Sequence, residues 1–174
     1  MGLSLQFDLS VEAGEWPPEP DLARLAERAG AAAAARVPAL AGGAEVSLLF
    51  TDDAAIRRLN ASWRGKDKAT NVLSFPVVAA PPAPTGVPVH LGDIVFAHET
   101  VVREAAEAGL TLADHMTHLL VHGLLHLVGH DHVDDSEAAA MEGLETAILA
   151  GLGIADPYAG TDPEPPETAG DDGR

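Results

Sequence analysis

The sequence predicts an α+β domain: a roughly four-stranded mixed sheet covered by helices, with a long central helix that carries histidines. Three observations predict it. Short apolar or alternating runs at residues 3–9, 46–50, 72–75 and 91–97 have strand character. Other segments repeat their apolar residues at helical spacing. One of these, opening at Thr111, is largely apolar and studded with histidines. Helices laid over one face of such a sheet give an α+β layer arrangement.

The elements follow in order. Residues 3–9 alternate apolar and polar, as a half-buried strand does. Trp16-Pro-Pro-Glu-Pro is a rigid connector. Asp21 is placed to cap a helix to about Arg36, with Leu22, Leu25, Ala26 and Ala29 as its stripe. Residues 38–43 break the chain, and 46–50 form a second strand. Thr51 or Asp52 caps a helix over 54–63, in which Ile56, Leu59 and Trp63 share the inward side; Trp63 reads as core rather than as a base-stacking platform. A charged loop at 64–68 leads to a short third strand stopped by Pro76. Residues 81–88 are a Pro-rich excursion without periodicity. The fourth strand spans 91–97. Helices follow at 99–108, from Thr111 onward, and from Ser136 to Leu152, the last with Met141, Leu144, Ile148 and Leu149 inward.

Composition narrows the function classes. The chain has 174 residues, 47% of them apolar, enough for one domain with a real core. We expect that domain to span 1–158, with an acidic, disordered tail over 159–174. Without cysteine there is neither a disulfide framework nor a thiolate metal site. The first residues lack the basic start and apolar run of a secretory signal, and ionisable groups interrupt the histidine helix too often for a membrane span. A cytoplasmic protein without membrane contact is the expectation. Ten basic against 27 acidic residues give a net charge of −17, which by itself opposes nucleic-acid binding. The distribution qualifies that sum. Arg57, Arg58, Arg64, Lys66 and Lys68 cluster within a twelve-residue window that includes both lysines of the chain. Such a cluster is either a basic patch for a polyanion or a solvated helix end.

The chemistry-bearing stretch reads H-x-x-x-H-x-x-G-x-x-H, with His122, His126 and His132 as fixed points. Residues four apart share a helix face, so His122 and His126 can address one ion. Gly129 can take the left-handed conformation that ends a helix and lets His132 return. Several imidazoles on an apolar helix are costly to bury unless something satisfies them. Three neutral imidazoles and an open position are the ligand set of a catalytic zinc site, with Zn–N distances of about 2.0–2.1 Å. Metzincin proteases use the same spacing with a glutamate after the first histidine as general base. Gly123 stands there in this chain and carries no proton. The pattern therefore fits a hydrolase with different water activation better than a peptidase or amidase.

Two stretches resemble the signatures of the YbeY family of bacterial metal-dependent endoribonucleases for ribosomal RNA maturation. They are residues 59–76 (LNASWRGKDKATNVLSFP) and 122–132 (HGLLHLVGHDH). Residues 91–95 and 141–158 are similar as well, so the resemblance covers roughly 45–158. It implies one Zn2+ per chain on His122, His126 and His132, and an arginine in the charged loop, Arg64, needed for activity on RNA. It also implies processing of the small-subunit rRNA 3′ end, ribosome quality control, and the small subunit and a ribosome-associated GTPase as partners. The residue before Asp131 is commonly Tyr in the family and is His130 here; this imidazole either competes for the metal or shuttles a proton.

Zinc lowers the pKa of its water to about 7, and a phosphodiester gathers charge on its non-bridging oxygens, which Arg64 can grip. Lys66 and Lys68 are then candidates for neighbouring phosphates. Asn71 and Ser74 either contact RNA or fix the turn into the third strand. Asp131 and Asp93 either orient imidazoles or cap turns, and His118 either lines the pocket or is a hydrogen-bonded surface residue. Without catalysis, Arg64 would be a structural ion-pair partner of Asp67 or Asp93. A last alternative is a ribosome-assembly factor in which zinc only staples the helix to the following loop, closed by a fourth ligand such as His130.

Overall fold

The computed structural model describes residues 5–41, 43–77, 89–130 and 134–155. Its elements are β1 (Gln6–Val11), α1 (Glu19–Ala34), a 3-10 turn (Pro38–Leu40), β2 (Ala44–Thr51), α2 (Asp53–Arg64), β3 (Val72–Pro76), β4 (Val89–Ala97), α3 (His98–Ala108), α4 (Leu112–Leu127) and α5 (Asp135–Gly151). The Pro-rich excursion and the boundary between domain and acidic tail lie outside the described residues.

The sheet has four strands in the order β1-β2-β4-β3. β1, β2 and β4 run parallel, and β3 is antiparallel to β4 at the edge. The expected mixed α+β sheet is therefore present. Edge placement also accounts for Pro76, which cannot donate to a central ladder.

α1 and α4 pack on one sheet face, and the core there includes Leu22, Leu48, Ile94, Phe96, Leu120 and Leu124. α4 is buried nearly all round because α1, α3, α5 and the sheet enclose it. That enclosure explains a helix with so few charged residues. The second face is not bare, as a sheet with helices on one side only would be. Ile56 of α2 packs with Leu73, Val95 and Ala97 over one part of it.

Local chemistry sets the helix ends. Asp52 caps α2 by accepting from the Ala55 N–H at 2.9 Å, and Thr111 caps α4 by accepting from Asp114 at 3.1 Å. α5 starts one residue earlier than expected because Asp134, not Ser136, accepts from Glu137 at 2.8 Å. α1 also starts early, at Glu19, with Pro20 in its first turn. Proline suits that position, having no N–H to leave unpaired, so Asp21 is a first-turn residue and not the cap. No helix among the described residues is long and apolar enough to cross a membrane.

Candidate active site

His122 and His126 sit one turn apart on α4, with their Nε2 atoms 3.0 Å from each other. Behind them, the Nδ1–H of His122 donates to Oε2 of Glu145 at 2.6 Å. That bond leaves the Nε2 lone pair of His122 directed at His126. Two imidazole nitrogens so placed share either a proton or a cation. In a tetrahedral zinc site with Zn–N of about 2.0–2.1 Å, adjacent nitrogens stand about 3.3 Å apart. The pair fits such a site within a few tenths of an ångström, and its donor chemistry, imidazole backed by carboxylate, suits zinc.

α4 ends one residue after His126. The N–H of Gly129, at φ +99°, bonds to His126 O at 3.1 Å, and the N–H of His130 bonds to Leu125 O at 2.9 Å. This double bond pattern around a left-handed glycine is the Schellman ending. It ends α4 at the glycine that the spacing marks as a helix stop. His132 and Asp131 lie outside the described residues. Among the described residues no group of three His, Asp or Glu side chains is arranged to hold a metal.

Glu145 was not anticipated. It is fully buried in α5, and its second oxygen, Oε1, takes Nε2 of His118 at 3.2 Å. Burial pushes its carboxyl upward, but the hydrogen bonds from His118 and His122 outweigh that and hold it well below the usual carboxylate range. His118 is thus tied to the same carboxylate as His122. The sequence did carry a signal. Glu145 falls one helical turn from Met141 and from Ile148 and Leu149, all buried, so it is a charge inside the inward stripe of α5. Asp93 is not among the carboxylates that hold His118 or His122. Alternation along β4 turns it away from Ile94, which faces α4, and its carboxylate lies 3.4 Å from His90.

The basic loop meets α4 through Ser74. Arg64, the last residue of α2, donates from Nη2 to Ser74 O at 2.6 Å, and its guanidinium carbon lies 5.4 Å from the Phe75 ring centre. Ser74 itself is buried against Gly123, where an added Cβ would lie 3.1 Å from its Oγ and 3.0 Å from Ile94 Cδ1. Asp67 is bound by Arg57 at 2.7 Å. Gly65 at φ +72° turns the chain out of α2, and Asn60 holds the loop by donating to Lys68 O at 3.0 Å. Lys66 and Lys68 are half-buried along that loop. The Asn71 amide faces inward, donating to Glu104 at 2.9 Å and accepting from Val72 N at 2.7 Å. The same Glu104 oxygen meets Nε2 of His115 at 2.9 Å. Trp63 is not core: it is 73% exposed.

Fold and site together define an α+β domain built on a buried helix with converging histidines, bordered by a basic loop. The family model described as Endoribonuclease YbeY matches residues 14–153. An Endoribonuclease YbeY of Rhizobium meliloti is 55% identical over 166 residues, covering 92% of this chain and 98% of the relative. One of Sinorhizobium medicae is 54% identical over 167 residues, covering 92% and 98%. The chain belongs to the YbeY family. The solution structure of a Thermotoga maritima protein has the same fold, with a TM-score of 0.53 at 22% identity over 90% of this chain and 97% of that one.

Proposed function

We propose that this chain is an endoribonuclease of ribosomal RNA maturation, acting at the small-subunit rRNA 3′ end and in ribosome quality control, with zinc held by His122, His126 and His132. The observation that carries the reading is the 3.0 Å approach of the His122 and His126 Nε2 atoms, backed by Glu145. Family membership adds the activity that the relatives are named for. Bound zinc supplies Lewis acidity and a water of lowered pKa.

The remaining work falls to the chain. Glu145 keeps the His122 Nδ1 proton in place and so fixes its tautomer and ring plane. Arg64, anchored on Ser74 O, offers positive charge to the non-bridging oxygens of the scissile phosphate. Lys66 and Lys68 hold flanking phosphates, which a local patch can do on a chain of net charge −17. A cytoplasmic setting, with the ribosomal small subunit and a ribosome-associated GTPase as partners, completes the proposal.

The test joins metal analysis to cleavage of defined rRNA precursors. One zinc per chain and chelator-sensitive RNA cleavage are the expected results. Tightly held zinc with no cleavage of any RNA would leave an assembly factor, and chelator-sensitive casein turnover would revive the peptidase.

A further inference from the structure

The sheet face turned away from α4 carries an unusual row. The strand register places Asp8 opposite Ser47, Ser47 opposite Asp93, and Asp93 opposite Phe75, so these four side chains cross the whole sheet on one level. α2 covers the neighbouring part of this face and packs toward the row only at its Phe75 end, and the row floors a groove of about 470 Å³. Trp63 overhangs the groove. Its indole is 73% exposed and stands edge-on to Phe75, with ring centres 6.4 Å apart. The next residue is Arg64, whose guanidinium lies against the same phenyl ring.

We propose that this groove is a subsite for an unpaired nucleobase of the RNA strand, with Trp63 as its stacking wall. The inference rests on the endoribonuclease reading and extends it to a base-binding position. A large exposed indole gains most from a flat apolar partner, and every base offers one. The floor presents the carboxylates of Asp8 and Asp93, which accept from the amino groups at a base edge but repel phosphate. Cations gather on the adjoining segment instead, in Arg58, Arg64, Lys66 and Lys68. Base into the acidic groove and phosphate onto the basic loop is the one orientation of a nucleotide that satisfies both charges. A Lys- or Arg-rich peptide would match the floor and be repelled by that loop.

The test uses the full chain and a short 2′-O-methyl oligocytidylate, followed by anisotropy and by indole emission. Trp16, the other indole, is packed edge-on to Phe50 and serves as the internal reference. Wild type should bind with quenching. Trp63→Ala should bind about 10-fold more weakly and lose the quenching, and Trp63→Tyr should recover most of the affinity. Trp63 is exposed, so the fold survives either change. Equal oligonucleotide affinity in wild type and Trp63→Ala, with Arg64→Ala still weakened, would overturn the subsite and leave the nuclease intact. Absence of binding to every variant would sink both. Quenching by an oligoarginine peptide but not by the oligonucleotide would assign the groove to a protein partner and overturn the proposal.

Discussion

Glu145 Oε2 accepts from His122 Nδ1 at 2.6 Å, inside a helix pair that leaves the carboxylate no exposed surface. Its other oxygen holds His118, so one side chain from α5 sets two imidazoles on α4. Glu145→Gln keeps the shape but replaces one acceptor oxygen with an N–H donor and removes the charge. Zinc affinity should fall by about 10–100-fold, the usual consequence of losing an outer carboxylate. Chelator competition on the folded variant measures it, and unchanged zinc affinity would reduce Glu145 to a packing residue.

His126→Ala is the more severe change. It deletes one of the two converging nitrogens, so stoichiometric zinc and RNA cleavage should both disappear. Zinc binding should also fail below about pH 6, where protonated imidazoles cannot donate to a metal. Metal content after gel filtration at a series of pH values reads both effects, and a variant that retains one zinc per chain would remove His126 from the ligand set.

Arg64 is anchored by a short bond, Nη2 to Ser74 O at 2.6 Å, on a strand that is buried against α4. Arg64→Ala should therefore keep the fold and the zinc, at a stability cost of about 1 kcal/mol. Its RNA cleavage should drop by about 100- to 1,000-fold, the scale of losing one fixed donor to a developing oxyanion. Arg64→Lys should recover little, since an ammonium lacks the planar fork. Full turnover in Arg64→Ala would confine Arg64 to holding β3.

The sequence made some of this architecture readable and hid the rest for physical reasons. The histidine helix, its Gly129 ending and the Asp52 and Thr111 caps depend on contacts within a few residues, so spacing reveals them. Strand order does not: β4 lies between β2 and β3, and no local pattern states that. Trp63 misled because its helical spacing with Ile56 and Leu59 points inward, yet α2 overhangs the sheet and leaves its last turn in solvent. Asp93 was a plausible imidazole partner by type alone, but the pleat of β4 turns it to the opposite face. Glu145 supports the site from a helix two dozen residues away, and only its place in an apolar stripe marked it.

Glu104 offers a pH-dependent test outside the His122–His126 pair. Burial raises its carboxyl pKa, but hydrogen bonds from His115 and Asn71 lower it further, leaving it below its ordinary value. A depressed folded pKa contributes stability that is complete above the unfolded value of about 4.3 and is lost as pH falls through the folded one. Wild type should thus exceed Glu104→Gln by on the order of 1 kcal/mol at pH 6–7. The gap should close as the pH is lowered below about 4. Urea unfolding of both proteins across that range decides it, and a gap that is constant with pH would show that the carboxylate charge is irrelevant.

Gly123 occupies the position at which metzincins carry their catalytic glutamate. Its Cα faces the sheet, not the space before His122 and His126: an added Cβ would lie 3.0 Å from the fully buried Ile94 and 3.1 Å from Ser74 Oγ. Gly123→Glu therefore cannot restore a peptidase. It would drive a carboxylate into the packed space between α4 and β4, at a cost of several kcal/mol. Gly123→Ala separates size from charge. Overpacking by one methyl costs about 1–3 kcal/mol, offset by about 1 kcal/mol of helix propensity, so its unfolding midpoint should move little. The glutamate variant should instead unfold at markedly lower temperature or fail to accumulate, without turning over casein. A stable Gly123→Glu protein with chelator-sensitive proteolysis would mean that α4 can draw back from the sheet, and that the pattern shared with metzincins extends to their chemistry.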